Sequence, residues 1–416
     1  MLKTLIIAII SISFPYYICS AQVKATCSQN EDLKSLQVIT NDDFMLPSVI
    51  RLNSDDKIDI NFDIIGDDMK WLSYKIIHCD INWNESPLSE TEYLIGFNNN
   101  QFSGPLSSFN TFVPYHHYSL TLPNENIDFK ISGNYKVEIY EDSDQEKILA
   151  TVCFYILDNR INIASKVSSN TDIDFNKEHQ QLEIALNWKN NFINSPSTDL
   201  KMIVKQNNRI DNQKIITVPS IVNTNGVVYS HNKDLIFEAG NTFRRMEFVS
   251  NKYAGLNVEK IIEINNIYQC ILKKDMPRAN LSFQYDQDQK GRFVIRTSED
   301  DSPEIDADYY YVHFFLEKAI PFKNGDIFIF GDFTSNSQGD EFKMEYNEQA
   351  GGYEKSILLK QGHYNYQYIF FSQDNIGSLS NTEGNYYENN NEYLILVYYR
   401  KPGDRYDKLI GYNLLK

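Results

Sequence analysis

The sequence predicts an all-β chain built from tandem antiparallel β-sandwiches. Three observations lead there. Apolar and polar residues alternate with period two along many short runs, as they do where one face of a strand is buried and the other wet. No window of helical length carries a clean 3.6-residue period. The chain is also rich in aromatics, with 28 Tyr and 25 Phe among 416 residues, and aromatic and β-branched side chains suit pleated surfaces.

Met1–Ala21 reads as a secretory signal: Lys3 is the positive end, Leu5 to Phe14 the apolar stretch, and Ser20-Ala21 the small residues before a cut ahead of Gln22. The stretch is too short to span a membrane. Bulky Tyr16, Tyr17 and Ile18 before Cys19 argue against a lipoprotein. Residues 22–34 are polar and predict a loose tail. A first sandwich is expected over residues 35–158. There Ile58, Ile60, Phe62 and Ile64 share one face and Asp59, Asn61 and Asp63 the wet one, and Tyr135, Val137 and Ile139 repeat the pattern. A second is expected over 159–277, with Leu182, Ile184, Leu186 and Trp188 in register. A third is expected over 278–416. It carries Val312, Phe314 and Leu316, then Tyr364, Tyr366, Tyr368 and Phe370, then Tyr393, Ile395, Val397 and Tyr399. Ser132-Gly133-Asn134, Asn324-Gly325, Gly351-Gly352 and Gln361-Gly362-His363 supply turn chemistry ahead of alternating runs.

Acids outnumber bases 56 to 39, a net charge of −17. That sign repels phosphate backbones, so no nucleic acid partner is expected. After signal removal Cys27, Cys79, Cys153 and Cys270 remain, too few for a disulfide framework. Cys79 and Cys153 lie on strand-like runs, which leaves two readings open: one bridge between them, or buried thiols acting as small hydrophobes. The acidic run Glu299 to Asp308 reads as a solvated loop.

No G-x-S-x-G, H-E-x-x-H, G-x-x-x-x-G-K or C-x-x-C motif is present. In His78-Cys79-Asp80, a strand puts His78 and Asp80 on one face and Cys79 on the other, two ligands where zinc needs three or four. His116 and His117 diverge as neighbours on an extended chain. Asp286, Asp288 and Gly291 open like a calcium loop, but Thr297 stands where the closing Glu belongs. No catalytic, cofactor-binding or metal-binding residue is therefore expected, and no small-molecule substrate. A carboxylate hydrolase would need two acids about 5–9.5 Å apart in a cleft.

Tyr309-Tyr310-Tyr311, Tyr386-Tyr387 and Tyr398-Tyr399 put aromatics on both faces of their runs. They read either as core or as a protein-binding face. The order Gly331-Asp332-Phe333, Met344-Glu345-Tyr346, Gly352-Tyr353 and Gly362-His363-Tyr364-Asn365-Tyr366 resembles early-set sandwich modules related to glycogen- and starch-binding domains. Thr334-Ser335-Asn336 follow Phe333 where those modules carry a stacking Trp. A glycan-binding surface protein is the alternative function this resemblance implies.

A second resemblance spans nearly the whole chain. Its motifs run from His78-Cys79-Asp80-Ile81-Asn82-Trp83 and Glu92-Tyr93-Leu94-Ile95-Gly96-Phe97 to Ser108-Phe109-Asn110-Thr111, Tyr115-His116-His117-Tyr118 and Ser132-Gly133-Asn134-Tyr135. They continue through Gln206-Asn207-Asn208-Arg209-Ile210-Asp211-Asn212 and Gly240-Asn241-Thr242-Phe243-Arg244. The last are Glu383-Gly384-Asn385-Tyr386-Tyr387-Glu388, Asn391-Glu392-Tyr393 and Arg405-Tyr406-Asp407-Lys408-Leu409-Ile410-Gly411. In this order they resemble the plug protein family of the type IX secretion system, a bacterial outer-membrane export machine. The resemblance implies tandem immunoglobulin-like, early-set β-sandwiches without enzymatic activity or cofactor. It implies a periplasmic protein that binds the periplasmic mouth of the giant translocon β-barrel and closes it. Membrane association would then come only through that barrel. Aromatic and Arg anchors are expected at such an interface, and Tyr386, Tyr387, Arg244 and Arg405 are the candidates by chemistry. For Arg405 a local ion pair with Asp407 is the competing reading.

Overall fold

The computed structural model describes residues 25–189, 192–298, 302–336 and 338–416. It is 49% strand and 5% helix, and its sheets pack as sandwiches. In the first sandwich, one sheet runs Cys27–Ser28, Asp144–Leu157, Gly133–Glu141, Leu72–Cys79, Asn100–Gln101. It faces a sheet ordered Leu33–Thr40, Ile58–Ile65, Tyr115–Leu122, Leu106–Ser107. The alternating residues meet between them: Ile58, Ile60, Phe62 and Ile64 pack with Tyr135, Val137 and Ile139, all buried. Val137 sits opposite both Ile76 and Val152, so the register puts three apolar side chains on one rung. Gly133 adopts φ +147°, and a Cβ there would stand 2.5 Å from His78 Nε2, so this turn requires glycine.

Two expectations change and one open reading is decided. The expected tail over 22–34 is structured from Cys27 on. Cys27 and Ser28 pair with Thr151 and Ala150, and Leu33 is buried in the core. A single apolar residue anchors a segment whose polar neighbours face water. Residues 22–24, like the signal Met1–Ala21, lie outside the described residues. Asp63, assigned by alternation to the wet face, is buried, because a neighbouring sandwich covers that end of the strand. Cys79 and Cys153 are free thiols, as are Cys27 and Cys270. The strand Gly133–Glu141 runs between their strands. Two strand spacings are about 10 Å, beyond the roughly 7 Å a disulfide spans between Cα atoms.

The second sandwich is not contiguous in sequence. One sheet runs Asn162–Ser168, His179–Asn187, Gly226–Tyr229, Ile221–Asn223. Its partner runs Lys214–Ile216, Leu200–Gln206, Tyr393–Tyr399, Lys408–Leu415. The final two strands thus leave the expected third block, while Arg244–Phe248, Val258–Ile264 and Ile267–Leu272 join the third sandwich rather than the second. Tyr393–Tyr399 explains the difference. Tyr393, Ile395 and Val397 enter the core of the second sandwich, while Leu394, Leu396 and Tyr398 face the first. A strand apolar on both faces needs cover on both, and the interior strand of a layered stack supplies it. Among the described residues no helix is long and apolar enough to cross a membrane.

Candidate partner-binding surface

The motif residues gather where sandwiches meet. Between the first and third, Asp63 accepts hydrogen bonds from His117 Nδ1 at 2.7 Å, Tyr309 Oη at 2.6 Å and Lys360 Nζ at 2.7 Å. Lys360 also donates to the Glu304 carbonyl and lies 4.0 Å from the centre of the Tyr115 ring. Burial lowers the pKa of the Lys360 ammonium, and the Asp63 carboxylate opposes that shift. Asp308 accepts from the Phe112 and Val113 amides, and Tyr115 donates to the Ala307 carbonyl. The acidic run is therefore not simply a solvated loop: Asp308 is buried and holds a neighbouring sandwich, while Glu299 and its next two neighbours lie outside the described residues.

Between the second and third sandwiches the chain crosses twice, and side-chain amides clip the crossings. Asn389 and Asn391 both donate to the Ala239 carbonyl, Gln180 donates to the Tyr387 and Asn389 carbonyls, and Asn385 accepts from the Gly240 amide. Asn207 accepts from the Glu392 amide, and its own amide donates to Glu392 O. Behind them, Glu383 is fully buried and bound by Arg244 and Arg278. Burial pushes its carboxyl up, but the two guanidiniums bring it below the usual range.

The joint between the first and second sandwiches is mostly apolar. Cys79, Ile81, Trp83, Cys153 and Tyr155 pack on Ile203, Leu394, Leu396, Tyr398 and Leu409. Its polar contacts are few: Ile81 N donates to Asp407, Tyr398 donates to Asn134, and Lys205 donates to Tyr155 at 2.9 Å.

These placements reassign the expected anchors. Arg244 is buried, donates to Glu383, Asp275 and the Met276 carbonyl, and stacks over Tyr368. It is an internal brace and offers no contact to a partner. Tyr386 donates to the Arg278 and Leu281 carbonyls and is half-buried, as is Tyr387. Arg405 pairs with Glu92 at 2.6 Å and with the Pro87 carbonyl, so its ion pair bridges two sandwiches instead of joining Asp407. Asp286 is taken by Arg245, and Asp288 by Lys290 and the Phe243 amide. Phe333 packs on Phe293 and Tyr364 in the third core, so it presents no sugar-stacking face. His78 is buried between Tyr93, Tyr135 and Tyr406, and burial lowers its pKa to about 4. Tyr309, Tyr310, Tyr398 and Tyr399 are core; only Tyr311 of these is exposed.

The exposed anchors lie elsewhere. The first sandwich has an exposed side at Asn100–Gln101, which ends one sheet; Leu106–Ser107 ends the other, and the segment after it meets the third sandwich, where Phe109 N donates to Ile305 O. Trp71 is 59% exposed and Phe97 87% in the segments flanking the first edge, and Leu106 is 54% and Phe109 70% exposed in the segment at the second. Asn98 clamps both backbone groups of Ile76, and Phe102 N donates to Leu72 O, which fixes the segment bearing Phe97 against the sheet edge. Large aromatics held rigidly at two short strand edges make a surface suited to protein partners. The motif reading pointed to the tyrosines instead. The missed signal was an aromatic in each of two Asn-bearing turns, Phe97 and Phe109, off the alternating pattern.

Residues 33–158, the part bearing this side, match the family model described as type 9 secretion system plug protein 1st domain. The crystal structure of a hypothetical protein from Parabacteroides merdae ATCC 43184 is similar over 94% of this chain and 98% of its own, at 42% identity and TM-score 0.92. An alkylpurine DNA glycosylase from Pseudomonas fluorescens, bound to abasic-site DNA, matches 30% of each chain at 12% identity and TM-score 0.18, too low to indicate even a shared fold. No curated protein matches the chain.

Proposed function

The chain belongs to the type 9 secretion system plug family, and on that premise we propose that it is a periplasmic, non-catalytic stopper that binds and closes the periplasmic opening of the giant outer-membrane barrel. Many-stranded barrels enclose aqueous lumens rather than packed side chains. A pore wide enough for folded cargo leaks unless something blocks it. The observation that carries the reading is the locking of three sandwiches by the Asp63–Lys360 joint, the asparagine clips and the apolar Leu396–Trp83 joint. A body braced in this way resists deformation, which a stopper needs.

The docking side in this proposal is the Asn100–Gln101 side of the first sandwich, with Trp71 and Phe97 as anchors. Affinity purification of the tagged protein from the outer-membrane fraction is expected to recover the barrel. The double variant Trp71→Asp, Phe97→Asp should reduce recovery at least tenfold while the chain stays folded by circular dichroism. Undiminished recovery would move the docking face elsewhere. Absence of the barrel under complex-preserving conditions, with no rise in dye entry on gene deletion, would overturn the stopper itself.

A further inference from the structure

A cavity of about 130 Å³ lies where the first, second and third sandwiches converge. That is on the order of ten times the room a single water needs. Leu36, Val38, Phe44, Phe293 and Leu394 give it apolar walls. Lys205 also lines it, from a strand interior to its sheet, and is only 5% exposed.

Lys205 has an unusual environment for a buried cation. Among the described residues its Nζ makes one side-chain hydrogen bond, to the neutral Tyr155 hydroxyl, and lies 5.5 Å from the centre of that ring. No carboxylate pairs with it. The one acid and the other cation lining the same cavity have partners of their own. Arg292 pairs with Glu392 at 2.7 Å, and Asp332 accepts from Asn336 at 2.7 Å and Asn208 at 3.4 Å. Buried charges are ordinarily paired, because an isolated one costs several kcal/mol of lost hydration. A buried ammonium with donor capacity to spare, lining a cavity with an apolar side formed by Leu36, Phe44 and Leu394 and a polar remainder, is complementary to one kind of ligand.

We propose that this cavity binds a carboxylate carried on an apolar body, with the Lys205 ammonium as its counter-charge and the Leu36–Phe44–Leu394 walls holding the body. The chemistry is shared by a peptide C-terminus ending in an aliphatic residue and by a medium-chain fatty acid. Binding would tie the three sandwiches at a point where no other ion pair joins Lys205 to them. The inference does not depend on the stopper reading, since it concerns the purified chain alone.

The test titrates the purified chain, beginning at Gln22, with N-acetyl-leucine, N-acetyl-leucine amide, octanoate and inorganic phosphate, by calorimetry and thermal melting. At least one of the two carboxylates should bind saturably and raise the melting midpoint. N-acetyl-leucine alone would identify a peptide terminus as the source, octanoate alone a fatty acid, and both the shared class. The amide should bind at least tenfold more weakly than the acid. The variant Lys205→Met should lose at least tenfold in carboxylate affinity, with an unliganded midpoint equal to or above that of the native chain. Saturable binding of neither carboxylate, response to phosphate only, or equal affinity in Lys205→Met would each overturn the proposal. If that variant does not fold, the acid–amide comparison on the native chain decides.

Discussion

Lys360 and Lys205 are both buried at joints between sandwiches, and the protein treats them oppositely. Lys360 meets Asp63, which is itself held by His117 and Tyr309, so its ammonium has a carboxylate counter-charge. Lys205 meets a phenol. The joints around them differ in the same way. The first–third joint is polar and directional, with carboxylates aimed at named amides, hydroxyls and an ammonium. The first–second joint is a broad apolar contact with few polar bonds. Apolar burial supplies non-directional stabilisation. A satisfied ionic network adds little net energy but penalises every misaligned arrangement. The comparison teaches that the relative orientation of first and third sandwiches is specified by charge, and that of first and second by shape.

Breaking the paired lysine should have the largest effect. Asp63→Ala leaves the Lys360 ammonium buried without its carboxylate, and such losses cost about 3–5 kcal/mol. The denaturant midpoint of the purified chain measures it. A loss below about 1 kcal/mol would mean the joint opens to water and that charge does not set the orientation.

The apolar joint has its own pH signature through His78, which packs against Tyr406. Burial lowers its pKa from the ordinary 6.5 to about 4. The unfolded chain therefore takes up a proton between those values while the folded chain does not. Stability is full above about pH 6.5 and falls as pH drops toward 4, by about 3 kcal/mol from this group. Urea titrations at intervals across that window should show the slope, and His78→Phe should flatten it. A slope unchanged by that substitution would assign the acid sensitivity to other groups.

The smallest effect belongs to the exposed tie across the same joint. Arg405→Ala removes the pair with Glu92, both side chains being substantially solvated. It should cost no more than about 1 kcal/mol by thermal melting. A larger loss would show that the apolar joint relies on charge after all, and would erase the contrast with the Asp63 network.

Much of the fold could be read from the residues. Ile58, Ile60, Phe62 and Ile64 alternate because one face is core, and the structure buries that face. What alternation cannot reveal is the partner. Tyr393–Tyr399 was recognisable as a strand, but its pairing with Leu200–Gln206 crosses nearly 200 residues, and local pattern carries no information about such distances. Asp63 and Arg244 failed for a related reason. Asp63 looks solvent-facing until a second sandwich covers it, and Arg244 until Glu383, Asp275 and Tyr368 close round it; a buried charge has the same local sequence as one on a surface. The family motifs marked important positions but not their role: Arg405 binds sandwich to sandwich, and Asn391 ties the returning chain to the second sandwich. Trp71 and Phe97 were passed over because exposed aromatics in turns break no rule a strand pattern tests.

The discontinuity of the second sandwich reaches into how the chain is made. A nascent polypeptide emerging from the ribosome presents Leu200–Gln206 long before Tyr393–Tyr399 exists to lie beside it. Until synthesis is almost finished, that half-built layer ends at the bare edge of Leu200–Gln206 and has a greasy flank with nothing to rest on. The carboxyl end is thus the keystone of the whole body. A ribosome that stops a few dozen codons early releases a molecule with two sound ends and an open centre, ready prey for proteases.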